Sequence, residues 1–542
     1  MKSLWKSKSV FVLFIALILF CLAICVPHSV QAAKQGGIVE IAFGMNPNRM
    51  DPPNSYGGSD MMIGCHIFER LIYFHYDENT KKTTPKPSLA KRWELSGDGK
   101  VWTFYLRKGI KFHDGTLFNA EAVKFNIERT ASDKPRTRYG AALREAIDRV
   151  EVVDDSTIKI YCKSVNPTLI HHIAQPCLGI MSPASVEKYG TKIGRHPTGT
   201  GPFKFVKWVP GERVELEVNK EYWKGRANLD GVVFRFVPDD NARINMVQTG
   251  EIDIAYNVPV QDHERLRKNK NLDVITWPTA TILRIYMNCQ KPPTNELKVR
   301  QAIKLAIDRP GIVRDLHLGN AKISKSGVAP YSWGYYAAAE VVYDPERAKK
   351  LLAEAGWVDT NKDGIREKNG KNLALTIRAP QAGRYPMDRV SLLAIQENLR
   401  NVGFDCKIKF MEFAAFLNAI WVPAERSTGD AVFVSWSSRT HAMFVLSKQL
   451  HSAYWLPKGQ NISYYKNPEM DRLLEAAEVE LDEKKNFELY KKMQVLAEEE
   501  VPIIPLWLMN YSIAKRKYVH NVTVLPIPII DTFHVRDAWM DK

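Results

Sequence analysis

The chain has 542 residues, 45% hydrophobic and 25% charged, with a net charge of +16. That length exceeds what one hydrophobic core holds and predicts two or three lobes of ordinary globular composition. The basic residues are spread along the sequence, with no dense run interleaved with aromatics, which argues against a nucleic-acid partner and for a solvated surface with some preference for anionic ligands.

Taken from the start, Lys2, Lys6 and Lys8 form a basic head, Val10 to Val26 an apolar run, and Val30-Gln31-Ala32-Ala33 a small-residue end. These three parts make a secretory signal, with cleavage expected after Ala32 and the remainder expected in the periplasm. Two readings compete with it. The 17-residue run is near the lower limit for an uncleaved membrane anchor. Cys25 offers a lipidation site, although Ile24 stands where a lipobox wants a small residue. Without its three signal lysines the chain carries about +13. Five cysteines follow the signal: Cys65, Cys162, Cys177, Cys289 and Cys406. They are scattered and form no C-x-x-C pair, so neither a zinc ribbon nor a redox motif is supported. An oxidising compartment permits one or two disulfides and leaves an odd thiol.

Gly37 to Phe43 reads as a strand, Met61 to Phe74 as an apolar segment of helical character. Residues 93–112 predict a β-hairpin about Ser96-Gly97-Asp98-Gly99-Lys100, because a D-G pair between alternating runs supplies the turn. Asn119 suits the cap of a helix from Ala120 to Arg129. A second hairpin is expected about Asp154-Asp155-Ser156, then a Gly/Pro junction at 197–203 and strands to about 237. The character changes near 288–296, after which Leu297–Ile307 is helical. The next helix opens at Asp344-Pro345-Glu346 and ends at Gly356, with cap, first-turn proline and terminal glycine each in place. Leu373–Ala379 is a strand, Met387–Val402 a helix, Asn467–Glu500 a helical region, and 501–509 and 521–530 strands.

The segment from Leu89 to Gly115 resembles the signature of bacterial extracellular solute-binding proteins of family 5, the dipeptide, oligopeptide and nickel class. The resemblance continues through Ala120-Glu121-Ala122-Val123, Gly199-Thr200-Gly201-Pro202-Phe203, Val299-Arg300-Gln301-Ala302 and Tyr343-Asp344-Pro345-Glu346 to Ala355-Gly356-Trp357. It implies an α/β clamshell of two lobes with mixed sheets, two crossover strands at the hinge and an extra inserted N-terminal domain. The boundaries expected are 1–32 signal, 33–77 lobe I, 78–184 inserted domain, 185–287 lobe I again, 288–504 lobe II, and 505–542 the last part of lobe I. The function implied is capture of a peptide or peptide-like solute between lobes and delivery to an ABC permease and its ATPase, by a monomer that does no chemistry.

A closing cleft must replace the water around its ligand, since each buried polar group left unpaired costs about 1–3 kcal/mol. Against that need the candidates are these. Arg384 and Tyr385 lie where dipeptide binders of the family carry a carboxylate clamp. Trp436 is a candidate wall. Arg439 stands where dipeptide and oligopeptide binders have an aspartate for the α-amine, so it points to a carboxylate or other anion, as in the glutathione-type branch. The Asp-Pro usual in that branch is missing, and His441 stands nearby. Tyr56, Gly57 and Gly58 lie where the family offers backbone to an extended ligand, and Asn288 is a hinge or cleft candidate at the change of lobe. Asp359-Thr360-Asn361-Lys362-Asp363-Gly364 imitates the start of a calcium loop, but Gly370 occupies the position of its bidentate glutamate. His171-His172, His441 and His451 keep a metal-chelate or haem solute open, as the family's range keeps opines and sugars open. No resident metal or cofactor is expected, and no hydrolase, Walker or dinucleotide motif is present. A sensory binding protein and a secreted hydrolase of the same fold remain the other classes.

Overall fold

A computed structural model describes residues 33–55, 58–77, 79–80, 82–133, 137, 140–381, 387–437, 439–525 and 533–542. Its first strand is β1 (Ile38–Phe43), followed by α1 (Gly58–Ile67), β2 (Ile72–Asp77) and β3 (Lys82–Pro87). The helix expected through Phe74 thus stops at Ile67. From Ile72 burial alternates residue by residue, as a half-buried strand requires. The carbonyls of Arg70 and Leu71 accept the amides of Leu89 and Ala90 at 3.1 and 2.9 Å, which holds this stretch extended.

The hairpin of β4 (Ala90–Leu95) and β5 (Val101–Leu106) forms where the D-G turn predicts it. The Ser96 hydroxyl donates to Asp98 at 2.6 Å and accepts the Val101 amide at 2.9 Å, while Gly99 takes φ +71°. Then come α2 (Ala120–Ala131), β6 (Ile147–Asp154), β7 (Thr157–Cys162) and α3 (Leu169–Ile173). Asn119 caps α2 by accepting the Ala122 amide at 3.0 Å. The strands order β4-β5-β7-β6. They bury a core of their own, drawn from residues between Leu71 and Ile180, with Phe104, Ile158 and Ile160 wholly enclosed.

Apart from β2–β3 and three other short two-stranded pairs, the remaining strands among the described residues join β1 in one large sheet. They are β8 (Phe203–Val209), β9 (Arg213–Val218), β10 (Gly231–Phe236), β11 (Ile254–Tyr256) and β12 (Leu272–Met287). After α4 (Leu297–Ala306) come β13 (Ala321–Ile323), α5 (Pro345–Glu354), β14 (Ala374–Pro380), α6 (Asp388–Arg400), β15 (Asp405–Met411) and β16 (Ala431–Ser437). Last are α7 (Met443–Leu450), α8 (Pro468–Val479), α9 (Glu483–Glu500) and β17 (Ile503–Arg516). The helical region expected over Asn467–Glu500 is two helices, because Asp482 accepts the amides of Lys484 and Lys485 and starts a new one. The sheet order is β15-β14-β16-β12-β17-β11-β1-β10-β9-β8, with β13 beside β17.

Two strands, β12 and β17, run antiparallel through the middle of that sheet. Leu272–Pro278 pairs with Asn510–Arg516, on the side where β17 also pairs β11. Ile282–Tyr286 pairs with Ile503–Leu508, where β12 also pairs β16. The register slips between Pro278 and Ile282, and Thr279 bonds the Met509 carbonyl at 2.9 Å across the slip. One core lies on each side of it. The lobe I core includes Val39, Ile41, Ile63, Phe203, Phe234 and Ile513; the lobe II core includes Leu283, Ile303, Leu352, Ile377, Leu392 and Trp507. β12 and β17 thus each run through both halves of the sheet, with a core on either side of the slip.

The family-signature residues hold the inserted sheet to lobe I. The neutral His113 ring donates from Nε2 to the Gly201 carbonyl at 2.9 Å and accepts the Gly199 amide at Nδ1 at 3.4 Å. Burial pushes its pKa down to about 4, against the pull of the Gly201 bond. Asp114 accepts hydroxyls from Ser182, Ser185 and Thr116 at 2.5, 3.0 and 2.6 Å. Burial pushes its pKa up, but these bonds outweigh it and hold the carboxyl below its ordinary range.

Candidate solute site beside the crossing strands

Trp436 and Arg439 both stand at the end of β16 nearest the crossing. Trp436, half-buried, lies opposite Ile282 of β12. Arg439 follows in the left-handed region, φ +52°, a conformation costing a non-glycine residue about 1–3 kcal/mol unless its surroundings impose it. They do. Its amide donates to Ser437 Oγ at 3.2 Å and its carbonyl accepts from Ser332 Oγ at 2.7 Å. A two-way bridge, Trp333 N–H to Thr440 O and Ala442 N–H to Trp333 O, both 2.9 Å, pins the same turn.

The Arg439 guanidinium lies 5.2 Å from the centre of the Phe444 ring. Among the described residues no carboxylate is within ion-pair distance of it. Its charge reaches across to the inserted side. Burial, then the Arg439 and Lys448 charges, push His172 down to about 3. Burial raises the Cys177 thiol to about 11 against the pull of Arg439 and Arg70, so this cysteine stays protonated near neutrality. A half-buried guanidinium with aromatic and thiol neighbours and no acid is an incomplete electrostatic arrangement, which an anionic group completes.

His441 is next to Arg439, but its ring is enclosed. It stacks on Trp333 with centroids 4.6 Å apart, meets Tyr490 edge-on at 5.2 Å and lies 4.3 Å from His171. Only 3% of the residue is exposed, and its ring packs where the lobes touch. Asn288 stands apart from these residues, at the other end of the β12–β16 pair. Its amide bonds the Asp430 carbonyl at 2.8 Å and its Oδ1 accepts the Gln290 amide at 3.0 Å. It shapes the turn out of β12. Gly58 begins α1, along which a pocket is lined by Ser55, Asp60, Cys65, Arg70 and Gly179. Tyr56, Gly57, Arg384 and Tyr385 lie outside the described residues.

Several residues at this contact escaped the sequence reading. Tyr331 and Trp333 belong to an aromatic loop, Tyr331-Ser332-Trp333-Gly334-Tyr335-Tyr336, whose density was a usable signal. Phe74 and Phe444 gave none, since each reads as ordinary core. The five cysteines are free thiols. The calcium-like loop does bring Asp359, Asp363 and Glu367 within 4.8 Å of one another, but all three carboxylates already accept amides of their own loop.

The lobes touch here. His171 Nδ1 is 3.3 Å from Thr440 Oγ1, Tyr76 meets Tyr331 edge-on at 5.0 Å, Thr83 donates to the Tyr331 carbonyl, and Lys448 pairs with Glu145 at 3.5 Å. No helix among the described residues is long and apolar enough to cross a membrane.

Comparison with known proteins agrees with this architecture. The description "Bacterial extracellular solute-binding proteins, family 5 Middle" matches residues 84–455. The glutathione-binding protein GsiB of Salmonella choleraesuis is 31% identical over 493 residues, 90% of this chain and 92% of that one. The oligopeptide-binding protein AppA of Bacillus subtilis, solved with a nonapeptide, superposes with a TM-score of 0.77 at 26% identity, over 94% of this chain and all (100%) of that one. The ABC transporter-associated periplasmic binding protein DppA of Helicobacter pylori, solved with the peptide STSA, gives a TM-score of 0.76 at 27% identity, over 94% and 99%. Two lobes joined by paired crossing strands, a third core built on the 89–115 signature, and a match spanning most of the sequence lead to one assignment: the chain belongs to the bacterial extracellular solute-binding proteins of family 5.

Proposed function

We propose that this protein captures a peptide-like solute carrying a carboxylate or comparable anion, holds it between the lobes, and delivers it to the permease and ATPase of an ABC importer. The observation that carries the reading is the Arg439 guanidinium, half-buried at the lobe contact with no carboxylate partner among the described residues. A cation so placed repels the α-amine of a simple dipeptide and attracts a carboxylate, which it meets bidentately. Similarity to a glutathione-binding protein and to two structures solved with peptides supports the peptide-like class. Trp436 supplies an apolar wall, and Arg384 and Tyr385 follow the end of β14 in the sequence. The basic head and apolar run of residues 2–26 support export through a cleaved signal, placing a monomeric binding protein in the periplasm.

Mass spectrometry of solute released by denaturing the purified protein, followed by calorimetry with that solute, tests the reading. The expected result is an anionic peptide-like compound at one per chain. A released sugar or metal chelate, or a solute whose affinity ignores Arg439, counts against it.

A further inference from the structure

An unbroken column of rings crosses from one lobe to the other beside the solute site. Phe74 of β2 stacks on His171 of α3, centroids 4.5 Å apart and planes 11° from parallel. His171 meets His441 at 4.3 Å, and His441 stacks on Trp333, which meets Tyr490 of α9 edge-on at 5.7 Å. Phe74 belongs to the core of the inserted sheet, with the part-buried His171 ring against it; His441, Trp333 and Tyr490 belong to lobe II. The two histidines are thus where the lobes meet.

We propose that the His171–His441 contact is a proton-sensitive latch, which holds the lobes together while both rings are neutral and lets them part when either takes a proton.

The surroundings of the rings give no home to a positive charge. On α3 the neighbour is His172. The turn after β16 brings Arg439 and Thr440, α7 brings Lys448, and α9 brings the neutral phenol of Tyr490. Cys177 is a protonated thiol. The acids nearby are engaged elsewhere: Glu145 pairs with Lys448 at 3.5 Å and Glu483 accepts Trp333 Nε1 at 3.0 Å. Among the described residues no carboxylate hydrogen-bonds any of the three histidines. His441 Nδ1 accepts the Met443 amide at 3.1 Å, so the neutral ring satisfies that donor and a doubly protonated one does not. The faces of Phe74 and Trp333 attract a cation and oppose the effect, but lost hydration outweighs them. Burial pushes His441 down to about 3 and His171 well below its ordinary range, with the other histidines adding to the shift.

The sign follows from linkage. Parted lobes expose the rings, which then titrate near their ordinary value of about 6.5. Above that pH both forms are neutral and the contact is intact. As pH falls from about 6.5 towards 3 the open form binds a proton that the closed form refuses, so closure is progressively lost. One such ring favours opening about 30-fold more at pH 5 than at pH 7.5.

Small-angle X-ray scattering on solute-free protein tests the latch without reference to what the protein carries. The wild type is expected to have a larger radius of gyration at pH 5 than at pH 7.5, and His171→Phe/His441→Phe the same smaller radius at both. A wild-type radius indifferent to pH overturns the latch, as does a double variant that expands as much as the wild type. Hydrogen exchange of the wild type, corrected for intrinsic rates, covers the case of a misfolded variant. Segments 169–173 and 440–444 should lose protection together at pH 5 while 283–287 keeps it; retained protection in the first two rejects the proposal.

Discussion

Arg439 concentrates the argument at the scale of single residues, because its backbone is forced into an uncommon conformation by bonds from Ser332 and Ser437 while its side chain lacks an acid. Arg439→Ala should weaken binding of the released solute about 30-fold, or about 2 kcal/mol, as for a lost charge-assisted pair. Arg439→Lys keeps the charge without the planar fork and should fall between the two. Calorimetry decides, and equal affinity in all three proteins would remove the residue from the site. His113 offers a separate test of residue-level electrostatics. Its pKa is near 4 folded and about 6.5 unfolded, so its stabilisation is whole above pH 6.5 and drains away as pH falls towards 4. Between pH 7.5 and 5 the loss is about 2 kcal/mol. In urea titrations, His113→Gln should show a correspondingly smaller drop, and an undiminished drop would mean that other groups carry it.

Elements explain which parts of the sequence could be read. The β4–β5 hairpin was legible because Ser96, Asp98 and Gly99 make its turn from local bonds. The caps at Asn119, Asp344 and Asn467 were legible for the same reason. Met61–Phe74 misled because its apolar residues suit either period, and long-range pairing with Lys82–Pro87 selects the strand from Ile72. The junction Gly199-Thr200-Gly201 was visible as a motif but not as a mechanism. A Cβ on Gly199 would lie 2.2 Å from the Ile67 carbonyl oxygen, and one on Gly201 2.7 Å from that of His66. These glycines let lobe I backbone come up against the join to the inserted sheet. Gly199→Ala should therefore cost about 3 kcal/mol, since backbone has to shift. The readout is the midpoint of thermal unfolding, and an unchanged midpoint would refute the close approach. The solute site was least legible of all. Its contacts join residues 269 positions apart, as with His171 and Thr440, and His441, chosen for its chemistry, turned out to be packed among rings.

Viewed whole, the molecule is two lobes whose mutual contact lies beside the site, so a solute that bridges them must favour the closed arrangement. At a free solute concentration 100 times Kd, stabilisation of about 2.7 kcal/mol is expected and should appear as a raised melting temperature. No shift with the released solute would show that it does not bind the folded form preferentially. The paired strands at the centre have a different consequence, one for synthesis. Lobe I begins with β1, yet β11 has only β1 beside it, and the lobe I half of β12 lacks its neighbour, until the chain has been made through Arg516. An emerging polypeptide can finish the core around Phe104 early, but its first lobe stays an open-edged sheet until residues 510–516 leave the ribosome. Under the export proposed above, such a chain meets its channel still unfinished, in a form that can thread through it.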